Sequence, residues 1–511
     1  MVHAVSMALS RAPVGLTAPL VRVEVHLGTG LPALALVGLP EAVVRESRER
    51  VRSAILNSGF EFPQGRITVN LSPADLPKEG GRFDLPIAVA ILAASRQLPL
   101  AALAAREFYG ELALGGELRA TGRLLPALVT GARAGHELIV PAANADEASW
   151  APASRVELAD DLREVCAALC ARTVLRRAVP VLRESTATAF DLKDIRGQFA
   201  AKRALTVAAA GGHGVLLIGP PGTGKTLLAQ RLPGLLPPLA HDEALEVASL
   251  ASAAGQRPVM GIHRPFRSPQ HTASVAAMIG GSTFRPGEIS LAHSGVLFLD
   301  ELPEFARNVL EALREPLESG VAVISRARRT CEFPARFQLL AAMNPCPCGY
   351  AGDPGGRCRC TPDQVARYRN RISGPLIDRI DMHVELARVP VEQLMSERDD
   401  GAETSAEVAA RVDEARRTQL ARQGRLNSRL SPGELERVCR LDRESRGLLA
   451  AAIARLGLSA RAYHRVLKLA RTCADIAGAP DIRQIDVSEA VRWRALDRPP
   501  AESRYLASET M

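Results

Sequence analysis

Residues able to do chemistry gather in a few stretches of this chain. The first is Gly219-Pro220-Pro221-Gly222-Thr223-Gly224-Lys225-Thr226, which meets the phosphate-binding pattern G-x-x-x-x-G-K-[ST] at every fixed position. The apolar run Val215-Leu216-Leu217-Ile218 precedes it, and the helix-compatible run Leu227-Leu228-Ala229-Gln230-Arg231-Leu232 follows it. That is the strand–loop–helix setting such a loop needs. Glycines let backbone N–H groups close around phosphates, and the helix N-terminus adds the positive end of a dipole. In such a loop Lys225 is expected to reach the β- and γ-phosphates of ATP, and the Thr226 hydroxyl to bind Mg²⁺. A Gly-rich turn with a chance lysine is the plain alternative, and both flanks speak against it.

The run Val296-Leu297-Phe298-Leu299 ends in the two carboxylates Asp300 and Glu301. At the end of a buried strand, the first is expected to hold Mg²⁺ through water and the second to activate an attacking water. Asn344 follows a third apolar run, Leu339-Leu340-Ala341-Ala342-Met343, so it should emerge beside the γ-phosphate. Alone, each of these residues reads as a turn former; together they read as a hydrolytic site.

Cys346-Pro347-Cys348 and Cys358-Arg359-Cys360 form two C-x-C pairs separated by nine residues. Four thiolates could hold a structural zinc ion in a closed tetrahedral site. The spacing departs from the commoner C-x₂-C, so reduced thiols in a loop and a redox-sensitive pair stay open. The segment Ser325-Arg326-Ala327-Arg328-Arg329-Thr330 lies between Val321-Ala322-Val323-Ile324 and Phe333 to Phe337. Guanidinium groups of Arg326, Arg328 and Arg329 on a projecting loop could track DNA phosphates without reading sequence. A solvated charged loop is the alternative, and the tip carries no aromatic residue. Arg357, Arg359, Arg367, Arg369 and Arg371 add to the same anionic preference.

The elements that must position these residues follow from pattern. Fold class is expected to be α/β, with a parallel-sheet P-loop core, a C-terminal helical lid and an N-terminal mixed α/β domain. Residues 1–167 open with half-buried strands at Val21 to Val25 and Ile67 to Leu71. An amphipathic helix from Glu41 to Leu56 lies between them, and a more apolar one runs from Leu85 to Leu98. Residues 168–189 read as a linker, 190–389 as the nucleotide core, 390–498 as the helical lid and 499–511 as a polar tail. In the lid, Leu449, Ile453 and Leu456 mark one apolar stripe and Ala462, Val466, Leu469 and Cys473 another. The net charge of +8 over 511 residues favours an anionic partner. No apolar run approaches a membrane span, and Arg11 falls where a leader's apolar core would lie. A cytoplasmic protein without a membrane partner is therefore expected. Nine cysteines in so long a chain are not a secreted disulfide framework.

Together these motifs resemble the AAA+ ATPases, and longer stretches narrow the likeness. Asp194-Ile195-Arg196-Gly197-Gln198, Ala201-Lys202-Arg203-Ala204-Leu205 and Gly211-Gly212-His213 lead into the phosphate loop. Phe266-Arg267-Ser268-Pro269-Gln270-His271-Thr272, Arg285 to His293 and Asn344-Pro345-Cys346-Pro347-Cys348-Gly349 complete it. Over nearly its whole length the chain resembles the magnesium-chelatase-like YifB/ComM proteins of bacteria. Gln270 stands where that family is expected to carry a second histidine.

The resemblance implies roles that spacing cannot assign. Arg379, within Pro375-Leu376-Ile377-Asp378-Arg379-Ile380-Asp381, matches an arginine finger completing a neighbouring subunit's site, and Arg461 matches the lid's sensor arginine. An ordinary salt bridge is the alternative for each. A finger supplied from outside implies a ring of copies of this chain, a hexamer by resemblance. The implied activity is ATP-driven movement on DNA, as a branch-migration helicase in recombination of incoming DNA during natural transformation. Two other readings are a metal-insertion motor of the magnesium-chelatase kind and an ATP-dependent chaperone or protease module. The additional N-terminal domain and the arginine-rich hairpin weigh against the first. The N-terminal domain resembles the Lon-protease fold, but Arg82 falls where Lon carries its nucleophilic serine. Arginine cannot attack a peptide bond, so that domain is expected to be a non-catalytic recognition or assembly module.

Overall fold

The computed structural model describes residues 4–496 apart from 38–41, 77, 79, 152–154, 180–189, 259–260, 282–283, 327–328, 354, 391–394, 396–401 and 495. The polar tail lies outside the described residues. Two large sheets organise what is described. The first has eight strands in the order Arg176–Arg177, Val156–Ala159, Glu137–Pro141, Arg106–Phe108, Ala4–Arg11, Leu20–Gly28, Arg66–Ser72 and Ala33–Val37. The two alternating segments read from the sequence pair antiparallel within it, with Val23 opposite Leu71. Its outermost strand, Arg176–Arg177, falls inside the stretch read as linker. The helix Asp84–Ala94 is buried along its whole length, as a sequence apolar on every side requires.

The second sheet is parallel throughout. Its order is Phe266–Arg267, Val296–Leu299, Gln338–Met343, Val215–Ile218 and Met382–Glu385. Strand side chains alternate between two cores. Val215, Leu217, Val296, Phe298, Leu340 and Ala342 join one core with the C-terminal helices, while Leu216, Ile218, Leu297, Leu299, Leu339 and Ala341 join the other. Burial on both faces is why these strands read as unbroken apolar runs. A separate hairpin, Val321–Arg326 with Arg329–Pro334, pairs Ile324 with Cys331.

The C-terminal helices include Ser405–Gln423, Arg443–Leu456 and Ala460–Ile476. The Ser459 hydroxyl caps the last of these by accepting from the Ala462 N–H, worth about 1 kcal/mol. Below that cap Ala462, Val466, Leu469 and Cys473 form the expected buried stripe. Side chains of Ser405–Gln423 close the end of the helix Phe199–Gly211. Arg416 Nε donates to Ala209 O (2.8 Å) and Gln419 Nε2 to Ala210 O (3.2 Å). Those carbonyls would otherwise end a helix unpaired. No helix among the described residues is long and apolar enough to cross a membrane.

Candidate nucleotide site

The phosphate loop leaves the C-terminal end of Val215–Ile218, near the middle of the parallel sheet, and enters the helix Lys225–Leu235. Its turn depends on Gly222 (φ +79°) and Gly224 (φ +85°), a region that side-chain-bearing residues enter with strain. Lys225 Nζ donates to Gly219 O (2.7 Å), Pro220 O (3.0 Å) and Asn344 Oδ1 (3.1 Å). Burial lowers the pKa of this ammonium, while Asp300 and Glu301 work in the other direction. Thr226 Oγ1 donates to Asp300 Oδ2 (2.9 Å), and Asp300 Oδ1 accepts from the Glu301 N–H (2.9 Å). A hydroxyl and a carboxylate side by side form the hard oxygen set that suits Mg²⁺, and the glycine cradle suits the phosphates of ATP. The fold therefore brings together the phosphate loop, Asp300, Glu301 and Asn344.

Three further residues steady the site from distant parts of the sequence. Gln198 Nε2 donates to Thr223 O (3.2 Å) and to Ala387 O (2.8 Å), tying the loop to the last strand's exit. His271 Nδ1 lies 3.4 Å from Glu301 Oε2. The Tyr368 phenol, pushed up to about 12 chiefly by burial, accepts the Asn344 backbone N–H. Gln198 and His271 stand inside quoted motifs, where only their presence could be noted. Tyr368 gave no signal, because its partner lies a whole loop away.

Arg379 and Arg461 are brought to each other and not to this loop. Both line a cleft of about 180 Å³ with Glu318, His464, Arg465 and Lys468. A larger adjoining cleft of about 460 Å³ is lined by Gly214 and Gln338, which open two of the parallel strands. The phosphate loop leaves the opposite end of those strands. Arg379 donates to Pro375 O (2.6 Å) and pairs with Glu318 (2.5 Å), and its Nε is buried without a partner. The arginine side chain is 11% exposed while that of Glu318 is 60% exposed. Beneath them Asp381 meets Arg465, His213 (3.2 Å) and the Gly214 N–H (3.1 Å). Burial opposes its charge, yet Arg465 and His213 hold its carboxyl well below the usual range. His213 continues the network to Thr472 of the lid at 2.8 Å.

The four clustered cysteines converge. Their sulfurs all lie within 4.8 Å of one another. Hydrogen bonds from the Arg359 and then the Tyr350 backbone N–H bring the Cys348 thiol down to about 6. Arg328 and the side chains of Arg326 and Arg329 lie outside the described residues; Arg326 ends and Arg329 begins the two strands of the hairpin above. Arg82 is buried and donates to the carbonyls of Gly122 and Arg123 (3.4 Å to the latter), a structural placement.

A parallel sheet with this phosphate loop, paired strand-end carboxylates and a helical C-terminal region defines an AAA+-type P-loop ATPase. The chain belongs to the YifB/ComM family of magnesium-chelatase-like proteins. It is 50% identical to the protein YifB of Salmonella typhimurium, with 96% of this chain and 97% of that one covered. It is 49% identical to the competence protein ComM of Haemophilus influenzae, with 96% and 98% covered. Likeness to the magnesium-chelatase 38 kDa subunit of Rhodobacter capsulatus is lower, 28% over 31% of this chain and 51% of that subunit. Family models agree along the chain. "Subunit ChlI of Mg-chelatase" matches residues 23–144, "Magnesium chelatase, subunit ChlI" 191–394 and "Magnesium chelatase, subunit ChlI C-terminal" 402–494.

Proposed function

We propose that this chain assembles into a ring, a hexamer, whose ATP sites lie between subunits and drive movement on DNA. The observation that carries the ring is the placement of Arg379 and Arg461. They line a cationic cleft at the end of the sheet away from their own phosphate loop. A four-residue strand separates the two ends by about 13 Å. Charge developing on a transferred phosphoryl group needs such cations nearby, and a neighbouring subunit is the economical source. The buried, unpartnered Arg379 Nε is a donor waiting for an acceptor.

Within one loop, Lys225 is the cation for the β- and γ-phosphates, and Thr226 with Asp300 holds Mg²⁺. Glu301 takes the proton of the attacking water, and Asn344 positions that water against the γ-phosphate. Residues 190–389 form the motor and 390–498 its lid, while 1–167 serve as a non-catalytic recognition or assembly module. Branch migration during recombination is the favoured task. Its supports are the net charge of +8, the arginines Arg326, Arg328 and Arg329 of the basic segment read from the sequence, and the name of a relative as a competence protein. The test is ATP turnover with and without DNA, and junction movement on synthetic forked and four-way DNA. Lys225→Ala and Glu301→Gln should both abolish movement, with Glu301→Gln still binding ATP. ATPase rates indifferent to every DNA, with static junctions, would sink the DNA reading.

A further inference from the structure

The loop from Asn344 to Thr361 has too little apolar material to hold itself. Between Asn344 and Cys360 only Pro345, Cys346 and Gly349 are buried among the described residues, and no helix or strand interrupts it. Long loops without secondary structure are uncommon in compact domains unless something staples them. The ion pair between Arg357 and Asp353 (2.8 Å) is half exposed on the arginine side and contributes little. Yet this loop connects two parts of the nucleotide site. Asn344 begins it, and Tyr368, which accepts the Asn344 N–H, stands on the helix Pro362–Arg369 that follows it.

We propose that Cys346, Cys348, Cys358 and Cys360 bind one zinc ion, and that this ion clamps Asn344 and the phosphate loop in their working positions. Sulfur separations support the first half. Cys346 to Cys348 is 3.3 Å, Cys346 to Cys358 is 3.8 Å and Cys348 to Cys358 is 3.7 Å. A tetrahedral ion with zinc–sulfur bonds of about 2.3 Å sets its sulfurs about 3.8 Å apart. Four thiolates are a soft donor set that closes the coordination shell, the pattern of a structural ion. The Ala351 N–H donates to Cys346 Sγ at 3.2 Å, a second layer of the kind that orients metal-bound thiolates. Binding releases the thiol protons to solvent and leaves the cysteines reduced.

Contacts support the second half, which rests on the nucleotide-site reading. Gly349 (φ +83°) lies so close to the phosphate loop that an added Cβ would meet Pro221 Cδ at 2.7 Å and Asn344 Cγ at 3.9 Å. The Gly349 N–H donates to Cys346 O at 2.9 Å, so this contact is part of the first C-x-C turn. An ion that joins the two C-x-C turns therefore fixes the turn pressed on Pro221 and the residue that holds Lys225.

The test uses the full-length chain purified in reductant. Elemental analysis should find about one zinc per chain, lost when Cys358→Ser and Cys360→Ser are combined. Removing zinc with a chelator that spares Mg²⁺ should weaken binding of a non-hydrolysable fluorescent ATP analogue at least about tenfold, or about 1.4 kcal/mol. Adding zinc back should restore it, which separates the effect from misfolding of a variant. Metal-free protein whose four thiols react freely, or an iron–sulfur absorption band, overturns the zinc site. Zinc bound and removed with unchanged nucleotide affinity overturns the clamp alone. Zinc-loaded protein that binds no nucleotide would leave the metal site standing and overturn the nucleotide reading and the clamp.

Discussion

The two ends of the parallel sheet are built on opposite plans. At the C-terminal end the side chains are held within the site: Lys225 by Asn344 and its own loop's carbonyls, Thr226 by Asp300. At the N-terminal end Arg379, Arg461, Arg465 and Lys468 crowd a cleft with few acids, and Arg379 is restrained by a largely exposed glutamate. One end is a binding site held together by its own loop, whereas the other carries cations held by local carboxylates and carbonyls, the surface proposed above to serve a neighbouring subunit. On the proposed reading, that difference is what makes a single chain incomplete. It also makes each end breakable independently of the other.

The largest effect is expected from the donor end. Arg379→Ala should cut ATP turnover by about 10³-fold or more while leaving nucleotide affinity near the parent value, read by steady-state kinetics beside equilibrium binding. A loss of binding instead would place Arg379 within its own subunit's site. Glu301→Gln comes next, with turnover down about 10²- to 10³-fold and ATP still bound. If the rate held, water activation would belong to another residue.

Below the donor surface, Asp381→Asn should destabilise the junction between core and lid by about 3 kcal/mol at neutral pH, read by urea unfolding. The sign of its pH dependence is fixed. Arg465 and His213 hold the Asp381 carboxyl below its ordinary value, so its contribution is fully present above about pH 4. That contribution is lost as the pH falls through the depressed folded value. The gap between parent and variant should therefore stay constant from neutral pH down to about 4 and narrow only below it. A gap that closed between pH 7 and 5 would mean the carboxylate is not held this way. The smallest effect is Tyr368→Phe, which removes the hydroxyl that accepts the Asn344 N–H and should weaken turnover about fivefold, or about 1 kcal/mol. No change would mean that Asn344 is positioned without it.

What could be read from the sequence divides along a related line. Val215–Ile218, Val296–Leu299 and residues 339–343 were legible because burial on both faces makes them continuous apolar runs followed by Gly219, Asp300 and Asn344. The sheet's two edge strands were not. Phe266–Arg267 is two residues long, and Met382–Glu385 carries a histidine and a glutamate that break the run. The residues forming the phosphate site were legible one by one, since strand and loop place them locally. Gln198 and Tyr368 act through backbone groups far away in sequence, and no local pattern encodes such a contact. The meeting of Arg379 with Arg461 depends on how the lid packs over the core through His213 and Thr472, a tertiary outcome that spacing does not carry.

The N-terminal region, built on the eight-stranded sheet, treats its charged groups differently. Several of its buried or part-buried charged groups are paired: Arg11 with Glu107 at 2.7 Å, His136 with Glu107 at 2.6 Å, and Arg82 with backbone carbonyls. It touches the P-loop region through Leu125 and Trp150, which pack on Leu239, Ala244 and Ala248, and through Arg257 with Asp146. That contact joins the N-terminal region to the helix His241–Ala253.

The most direct measurement of the central claim is a mixing experiment. Lys225→Ala chains lack a working loop but keep the arginines, and Arg379→Ala chains keep the loop but lack the finger. Each alone should be inactive, and the two mixed should regain ATP turnover, because a sound loop then faces a sound arginine across a subunit boundary. A mixture as inactive as its components, although the chains co-assemble, would contradict a site shared between subunits.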